Sequence, residues 1–223
     1  MEPVSAITAI GALDDPARRR LYEYVAGRGE PVGREDAARA TGLPSHSARF
    51  HLDRMVDAGL LEVEYRRLSG RSGPGAGRPT KLYRRAAHEV AVSVPPRHYD
   101  LVGQVLAAAV QCSLAGADLA GSLVAEAQAA GQRDGAAYDG RGTELERTSG
   151  VLTERGYEPA VADEDLVLGN CPFDRLAAEH GELVCGLNRD YVAGVVEGLG
   201  CRHTRACLDP GAGGCCVRVM TVR

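Results

Sequence analysis

The apolar residues of the first sixty positions recur at the spacing of amphipathic helices. In the first helix they are Leu13, Ala17, Leu21, Tyr24 and Val25, which would share one buried face. Asp14 or Asp15 can cap this helix, and Pro16 suits its first turn. The pattern predicts a second, short helix from about Arg34 to Thr41.

A third predicted helix begins at Ser45, which can cap it, and ends at Gly59. We expect its inward residues to be Ala48, Leu52, Met55 and Val56. The outward residues, which are the candidate DNA contacts, are Ser45, His46, Ser47, Arg49, His51 and Arg54. Arginine reads guanine in the major groove and serine donates to phosphate, so this face is suited to DNA.

Two predicted strands, Leu60 to Tyr65 and Thr80 to Arg84, enclose a loop rich in Gly, Ser and Pro. From Arg66 to Arg85 the chain has seven basic residues and no acidic one. This pattern predicts the wing of a winged helix, whose cations would neutralise phosphates. Its candidate DNA contacts are Arg67, Arg71, Arg78 and Lys81. The alternative is a solvated basic loop on an unrelated domain.

Two motifs carry a resemblance to a known class of proteins. The run S-x-S-x-R-x-H-L-x-x-M-x-x-A-G-L-L starts at Ser45, and G-R-P-T-K-L-Y starts at Gly77. With these motifs, residues 10–88 resemble the ArsR-like and MarR-like winged-helix repressors. The resemblance implies binding of double-stranded operator DNA by a homodimer.

The middle of the chain is rich in Ala, Leu and Val. After Pro95 and Pro96, the pattern predicts helices over roughly 97–130, interrupted by Gly116 and Gly121, and over roughly 135–155. These helices would bury their faces against a second copy of the chain, or else pack only on the C-terminal region. Cys112 lies in this stretch and is interpreted as a small buried hydrophobe.

Six of the seven cysteines lie in the last fifty-three residues: Cys171, Cys185, Cys201, Cys207, Cys215 and Cys216. The gaps are long, unlike the paired C-x2-C knuckles of zinc ribbons. Sulfur-only ligation suits an iron–sulfur cluster. Cys171 precedes Pro172 at a predicted helix start, where N–H groups would stabilise a thiolate.

The motif C-P-x4-A-x5-L-x-C, from Cys171 to Cys185, and the later cysteine doublet resemble SufR-type iron–sulfur repressors. The first gap is one residue longer than in that pattern, the doublet is adjacent, and Cys207 is additional. The resemblance implies a cluster of unknown type, with candidate ligands Cys171, Cys185, Cys201, Cys215 and Cys216. The fourth ligand stays open between Cys201 and Cys216. Neighbouring residues of a strand face opposite sides, which argues against equal ligation by Cys215 and Cys216.

Three other interpretations of the cysteines remain open. A zinc site could use Cys171, Cys185 and Cys215 with His180 or His203. A thiol switch could close a disulfide between neighbouring cysteines. The C-terminal region could instead bind a small molecule, with the cysteines incidental.

Charge and motifs narrow the class of protein. The net charge is −4, but residues 1–90 carry 15 Lys and Arg against 12 Asp and Glu, while residues 91–223 carry 11 against 18. An anionic partner would therefore prefer the N-terminal part. We expect no membrane span, a cytoplasmic location and no enzymatic activity, because a long apolar run, a signal peptide and known catalytic motifs are all missing.

These patterns together predict a mainly α fold with small β elements. The expected organisation is a winged helix-turn-helix domain over 1–90, a helical dimerisation linker over 91–156, and an α+β cysteine-rich domain over 157–223. The predicted function is transcription regulation, as a repressor by resemblance. An iron–sulfur cluster, or alternatively zinc, would make DNA binding respond to iron, oxygen, nitric oxide or redox state.

Overall fold

The structure is a computed structural model that describes residues 6–67, 79–210 and 214–222. The chain divides into two compact units, Met1–Val92 and Ser93–Arg223. The second unit contains both the segment predicted as a linker and the cysteine-rich segment. A division between a linker over 91–156 and a cysteine-rich domain over 157–223 therefore stays a prediction.

The described residues of the N-terminal unit, 6–67 and 79–92, form four helices and a small antiparallel sheet. Its elements are α1 (Ala6–Ala12), α2 (Pro16–Ala26), β1 (Val32–Gly33), α3 (Arg34–Thr41), α4 (Ser45–Asp57), β2 (Leu61–Arg66) and β3 (Thr80–Arg85). The strand order is β1-β3-β2. The predicted helices and wing strands are present, whereas α1 and β1 were not predicted.

Local chemistry sets the helix ends of this unit. The side chain of Asp15 accepts hydrogen bonds from the backbone N–H groups of Ala17 at 2.8 Å and Arg18 at 3.0 Å, which caps α2. α3 ends at Gly42, whose φ of 69° is left-handed and suits glycine. The following α4 packs its inward side into the core, where Leu52 and Met55 are fully buried.

The C-terminal unit packs helices against one antiparallel sheet. Its elements are α5 (Tyr99–Leu114), α6 (Leu119–Ala137), α7 (Glu144–Glu154), β4 (Pro159–Ala162), β5 (Asp165–Leu168), α8 (Asp174–Glu179), α9 (Gly181–Gly198), β6 (Thr204–Leu208) and β7 (Val217–Thr221). The strand order is β4-β5-β7-β6. Tyr191, Val192 and Val195 of α9 are buried in the same core as Leu166 and Val219 of the sheet.

The two predicted middle helices are three helices in the structure. The chain turns at Gly116, which has a φ of 99°, and α6 then continues through the break expected between 130 and 135. Gly121 lies inside α6 and does not interrupt it. Gly131 and Gly135 lie at the expected break, and their lack of a side chain serves packing.

Glycines bring α6 and α9 into backbone contact. A Cβ added to Gly131 would overlap the carbonyl oxygen of Tyr191, and one added to Gly194 would overlap that of Gln128. Gly135 and Gly198 repeat this relation one turn further along. The middle helices were expected either to pack against a second copy of the chain or to pack on the C-terminal region. The buried face of α6 packs on the C-terminal region.

Candidate nucleic-acid interface and cysteine site

The start of α4 differs from the predicted serine cap. Pro44 occupies the cap position and makes no side-chain capping bond. The hydroxyl of Ser45 donates instead to Glu35 Oε1 of α3, at 2.8 Å. This bond joins the two helices of the helix-turn-helix, and the Arg34 guanidinium also contacts Glu35 at 2.9 Å. Hydrogen bonds from Ser45 and Arg34 lower the pKa of Glu35.

The outward face of α4 only partly matches the predicted one. His46, Arg49 and Arg54 are exposed, and Ser47 is half-buried. His51 is also half-buried, and its Nδ1 is buried without a hydrogen-bond partner within the described ranges 6–67, 79–210 and 214–222. His51 was predicted to face outward, but its position on the helix lies close to the buried stripe, so it turns partly inward.

The sequence reasoning missed Phe50. Its side chain is 60% exposed on α4, and its ring meets the edge of the His51 ring at a centroid distance of 5.5 Å. Phe50 was assigned to neither face of the helix. The helical spacing itself could have located Phe50, because 100° per residue places it nearly opposite the buried Ala48, Leu52 and Met55.

A network of side chains connects the wing to α4. Lys81 Nζ of β3 contacts Asp53 Oδ1 at 2.5 Å, and the Tyr83 hydroxyl donates to the same oxygen at 2.8 Å. Partial burial raises the pKa of Asp53, but the bonds from Lys81 and Tyr83 outweigh it, so this pKa is lowered. Lys81, a predicted phosphate contact, is thus engaged with the carboxylate of Asp53.

The other cationic side chains of the wing differ in whether they form an ion pair with a carboxylate. Arg66 contacts Glu64 at 2.8 Å, and Arg84 contacts Glu62 at 2.8 Å. Arg67 is exposed, and none of the ion pairs found in the described part of the chain involves it. The predicted contacts Arg71 and Arg78 lie outside the described residues.

The first turns of α9 form one side of the cysteine site. Cys185 is joined to Cys216 by a disulfide, with their Cα atoms 6.3 Å apart. Asn188, one turn after Cys185, donates from Nδ2 to the sulfur of Cys215 at 3.2 Å. The doublet precedes β7, which starts at Val217, so the alternation expected of strand residues does not apply. Both sulfurs of the doublet approach the same turn of α9.

Cys171 completes the group from the segment between β5 and α8. Its thiol donates a hydrogen bond to the sulfur of Cys215, and this bond lowers the pKa of Cys215 to about 7 while raising that of Cys171. Burial raises both pKa values, so it opposes the shift of Cys215 and adds to that of Cys171. Backbone N–H groups of Phe173 and Val217 also point to the two sulfurs. Cys215 is therefore the sulfur that carries negative charge most readily.

A buried amide fixes the orientation of the donor to Cys215. The Tyr157 hydroxyl donates to Asn188 Oδ1 at 2.5 Å, and both side chains are almost completely buried. Because Oδ1 is occupied by Tyr157, the amide NH₂ must face the sulfur. Burial is the main cause of the raised pKa of Tyr157, which therefore stays a hydroxyl donor.

The structure does not bring Cys201 to this group. Cys201 follows the far end of α9, and the thirteen residue-to-residue steps from Cys185 to Gly198 span roughly 20 Å of helix. Its sulfur lies 3.7 Å from the guanidinium of Arg147 and 4.0 Å from the hydroxyl of Thr148. Contacts in the structure thus group Cys216, and not Cys201, with Cys171, Cys185 and Cys215, which a count of sequence gaps could not show.

Cys207 and the two candidate histidines lie apart from the four sulfurs. Cys207 pairs with Arg218 in the sheet register, on the face opposite that of the core residues Ala206 and Val219. His203 contacts Glu144 at 3.3 Å, near the end of α9 where Cys201 lies. His180 directly precedes α9 and is exposed.

The types of donor at the site, though not their arrangement, suit a thiolate-bound group. In the described residues, no three Cys, His, Asp or Glu side chains are arranged as ligands of a metal ion, and two of the four sulfurs are joined to each other. The other two sulfurs are buried, and Cys215 receives N–H donors from Asn188 and Val217. Such donors stabilise the thiolates that iron–sulfur clusters and zinc require.

Comparison with known proteins identifies one part of the chain. Residues 13–64 match a family model described as a helix-turn-helix domain. Searches of curated proteins and of solved structures found no match. Among the described residues, no helix combines the length and the apolar character needed to cross a bilayer. The match runs from the start of α2 into β2, and together with the fold it supports a DNA-binding transcription regulator of the winged-helix type.

Proposed function

We propose that the protein is a homodimeric transcription regulator, a repressor, in which the state of a four-cysteine site controls operator binding. The DNA-binding part of this proposal is supported by the helix-turn-helix match at residues 13–64. The sensing part is supported by one observation above all: the sulfurs of both Cys215 and Cys216 meet the same turn of α9.

In this proposal α4 is the recognition helix, and its exposed Arg49 reads guanine. His46 and Arg54 flank Arg49, while Arg67 of the wing neutralises phosphate. The Lys81–Asp53 contact holds the wing against α4, so that the two elements meet DNA as one surface. In a homodimer, the two recognition helices would have to lie about one helical turn of DNA apart, about 34 Å.

The residues that would hold an iron–sulfur cluster are Cys171, Cys185, Cys215 and Cys216, once a cellular dithiol has reduced the Cys185–Cys216 disulfide to two thiols and has itself been oxidised to a disulfide. When bound, the cluster supplies a centre that gains or loses electrons and is destroyed by oxidants. The protein's part is to orient the sulfurs: Asn188 and the N–H group of Val217 donate to Cys215, while burial excludes water. Zinc would use the same thiolates, and the sulfur-only donor set with N–H donors favours the cluster.

The Cys185–Cys216 disulfide favours a second candidate, a thiol switch without metal. Reduction by a cellular dithiol would transfer two electrons and two protons, giving two thiols and releasing the segment before β7 from α9. Both candidates place the control at the contact between α9 and the cysteine doublet. In each, the state of that contact sets the affinity of the N-terminal unit for DNA.

The first experiment is anaerobic purification followed by an ultraviolet–visible spectrum and analysis for iron, sulfide and zinc. A brown protein with iron matching sulfide supports the cluster. A colourless protein with stoichiometric zinc replaces the cluster by zinc, and a protein with neither leaves the thiol switch, which mass spectrometry of alkylated cysteines then tests.

Cysteine variants test the ligand assignment. Cys171→Ser and Cys185→Ser should remove the chromophore while leaving the helix-turn-helix domain folded, whereas Cys207→Ser and Cys201→Ser should retain it. A full chromophore in the first pair would show that the ligands are assigned wrongly. DNA binding by each variant, measured on sites selected from random sequences, shows whether the site controls the operator affinity.

A further inference from the structure

Phe50 is a large apolar side chain at the centre of a polar surface. The chain has only two phenylalanines: Phe173 is fully buried, whereas Phe50 is 60% exposed. Phe50 does not belong to the core of the N-terminal unit. Folding therefore leaves this ring in water, where it contributes little to the stability of the unit.

The neighbours of Phe50 on α4 are charged or polar. His46 lies one turn before it, Arg54 lies one turn after it, and Arg49 is adjacent, with its side chain 64% exposed. A protein-docking patch would surround such a ring with further apolar groups. Around the ring, Arg34, Arg49 and Arg54 outnumber the carboxylates Asp53 and Asp57, and Asp53 is paired with Lys81. The ring is thus an isolated apolar group on a surface with an excess of positive charge, which indicates a partner that is anionic and offers a small apolar group.

The DNA major groove has this combination of properties. Its edges are flanked by phosphates, and its one apolar group is the C5-methyl group of thymine. Arg49, next to Phe50, can reach the acceptors of guanine in the same groove. We propose that Phe50 is a specificity-determining residue that contacts a thymine methyl beside the base read by Arg49; this inference rests on the proposed binding of operator DNA.

The test compares DNA with and without that methyl group. Binding sites are selected from random duplexes with the full-length protein, in its reduced and its oxidised form, and each thymine of the selected site is then replaced by uracil. The wild-type protein should lose about fourfold in affinity at one position of each half-site, the value expected for one buried methyl. Phe50→Ala should bind thymine and uracil at that position equally well.

Two controls isolate the effect of the ring. Tyr65→Ala removes an aromatic side chain of similar exposure, 66%, on β2, and should leave the discrimination between thymine and uracil intact. Phe50→Leu retains an apolar group and should retain part of the discrimination. Thermal unfolding of Phe50→Ala should match that of the wild type, since the ring packs outside the core.

The outcomes separate this inference from the proposed function. If the wild type selects a site and Phe50→Ala discriminates thymine from uracil as the wild type does, the role of Phe50 is overturned and DNA binding stands. If the wild type selects no site in either redox form, the proposed function fails, and the role of Phe50 fails with it.

Discussion

Exposed side chains of a single helix form most of the candidate DNA interface, whereas buried and half-buried side chains from three separate segments form the cysteine site. On α4, exposed residues such as Arg49 and Phe50 are fixed by helical periodicity alone. In the C-terminal unit, Cys171, Asn188 and Cys215 meet only because β5, α9 and β7 pack together. An exposed site tolerates change in its neighbours, while a buried one depends on the packing of its whole unit.

The largest expected effect comes from the helix contact that supports the buried site. Gly194→Ala should lower the free energy of unfolding of the C-terminal unit by about 2–3 kcal/mol, because its Cβ would overlap the backbone of Gln128. Urea unfolding of the full chain measures this.

A matched control lies on the same helix. Gly186→Ala has open space around its Cβ and should stabilise α9 by about 0.5–1 kcal/mol. Equal effects of the two substitutions would contradict the close approach of α6 and α9.

The next effect concerns the buried amide. Asn188→Leu leaves the hydroxyl of Tyr157 without its acceptor and should cost about 1–3 kcal/mol. Tyr157→Phe leaves Asn188 Oδ1 unpaired and should cost a similar amount. The double variant should cost much less than the sum, because neither polar partner then remains. A double-mutant cycle on reduced protein measures the coupling, and strictly additive losses would show that the two side chains do not interact.

A smaller effect follows from Glu144, which accepts hydrogen bonds from the N–H groups of Arg202 at 2.8 Å and His203 at 2.9 Å. Burial raises the pKa of Glu144, but these donors outweigh it and lower the pKa to about 2. Since the pKa in the folded protein is lowered, the stabilisation is present above the ordinary carboxyl pKa and is lost as the pH falls toward 2.

Unfolding at two pH values tests this carboxylate. Glu144→Gln should lower the free energy of unfolding by about 1–2 kcal/mol at pH 7, with a smaller loss at pH 3. Glu154→Gln, which changes an exposed residue of α7, is the control and should have little effect at either pH. A loss from Glu144→Gln that is the same at both pH values would mean that its charge does not matter.

The smallest stability effect is expected in the exposed unit. Asp53→Asn should cost less than about 1 kcal/mol, because the pair with Lys81 is partly solvated. Its effect on DNA affinity should be larger, since the wing loses its contact with α4. Arg84→Met breaks another surface pair, that of the more exposed Arg84 with Glu62, and serves as the control. Equal DNA affinities of Asp53→Asn and the wild type would argue against a structural role for the Lys81 contact.

The contrast between a surface on one helix and a site built from three segments also explains what the sequence could and could not predict. Periodicity and capping residues located α2, α3, α4 and the wing strands, because each rests on local signals. The helix α1 was missed since Ala9 is its one buried residue. The strand β1 was missed because it contains two residues.

Tertiary packing caused the remaining differences. Gly131 and Gly135 indicate a helix end in isolation, and only the partner helix shows why they lie inside α6. Asn188 follows Cys185 by three residues, a spacing that could have placed both on one side of α9. Its role also required Tyr157, which lies thirty-one residues away in sequence. The sequence gaps alone also do not show that Cys201 and Cys185 lie near opposite ends of one helix.

The contact between α6 and α9 has a mechanical consequence. In mechanical terms, α9 is a rod about 27 Å long, held over its C-terminal half by the backbone of α6. One end is tied to Cys216, and at the other end the carbonyl of Leu199 is held by Arg147 of α7. A helix held in this way moves as a rigid body. A displacement of its sulfur end would therefore be passed to α6 and α7 together.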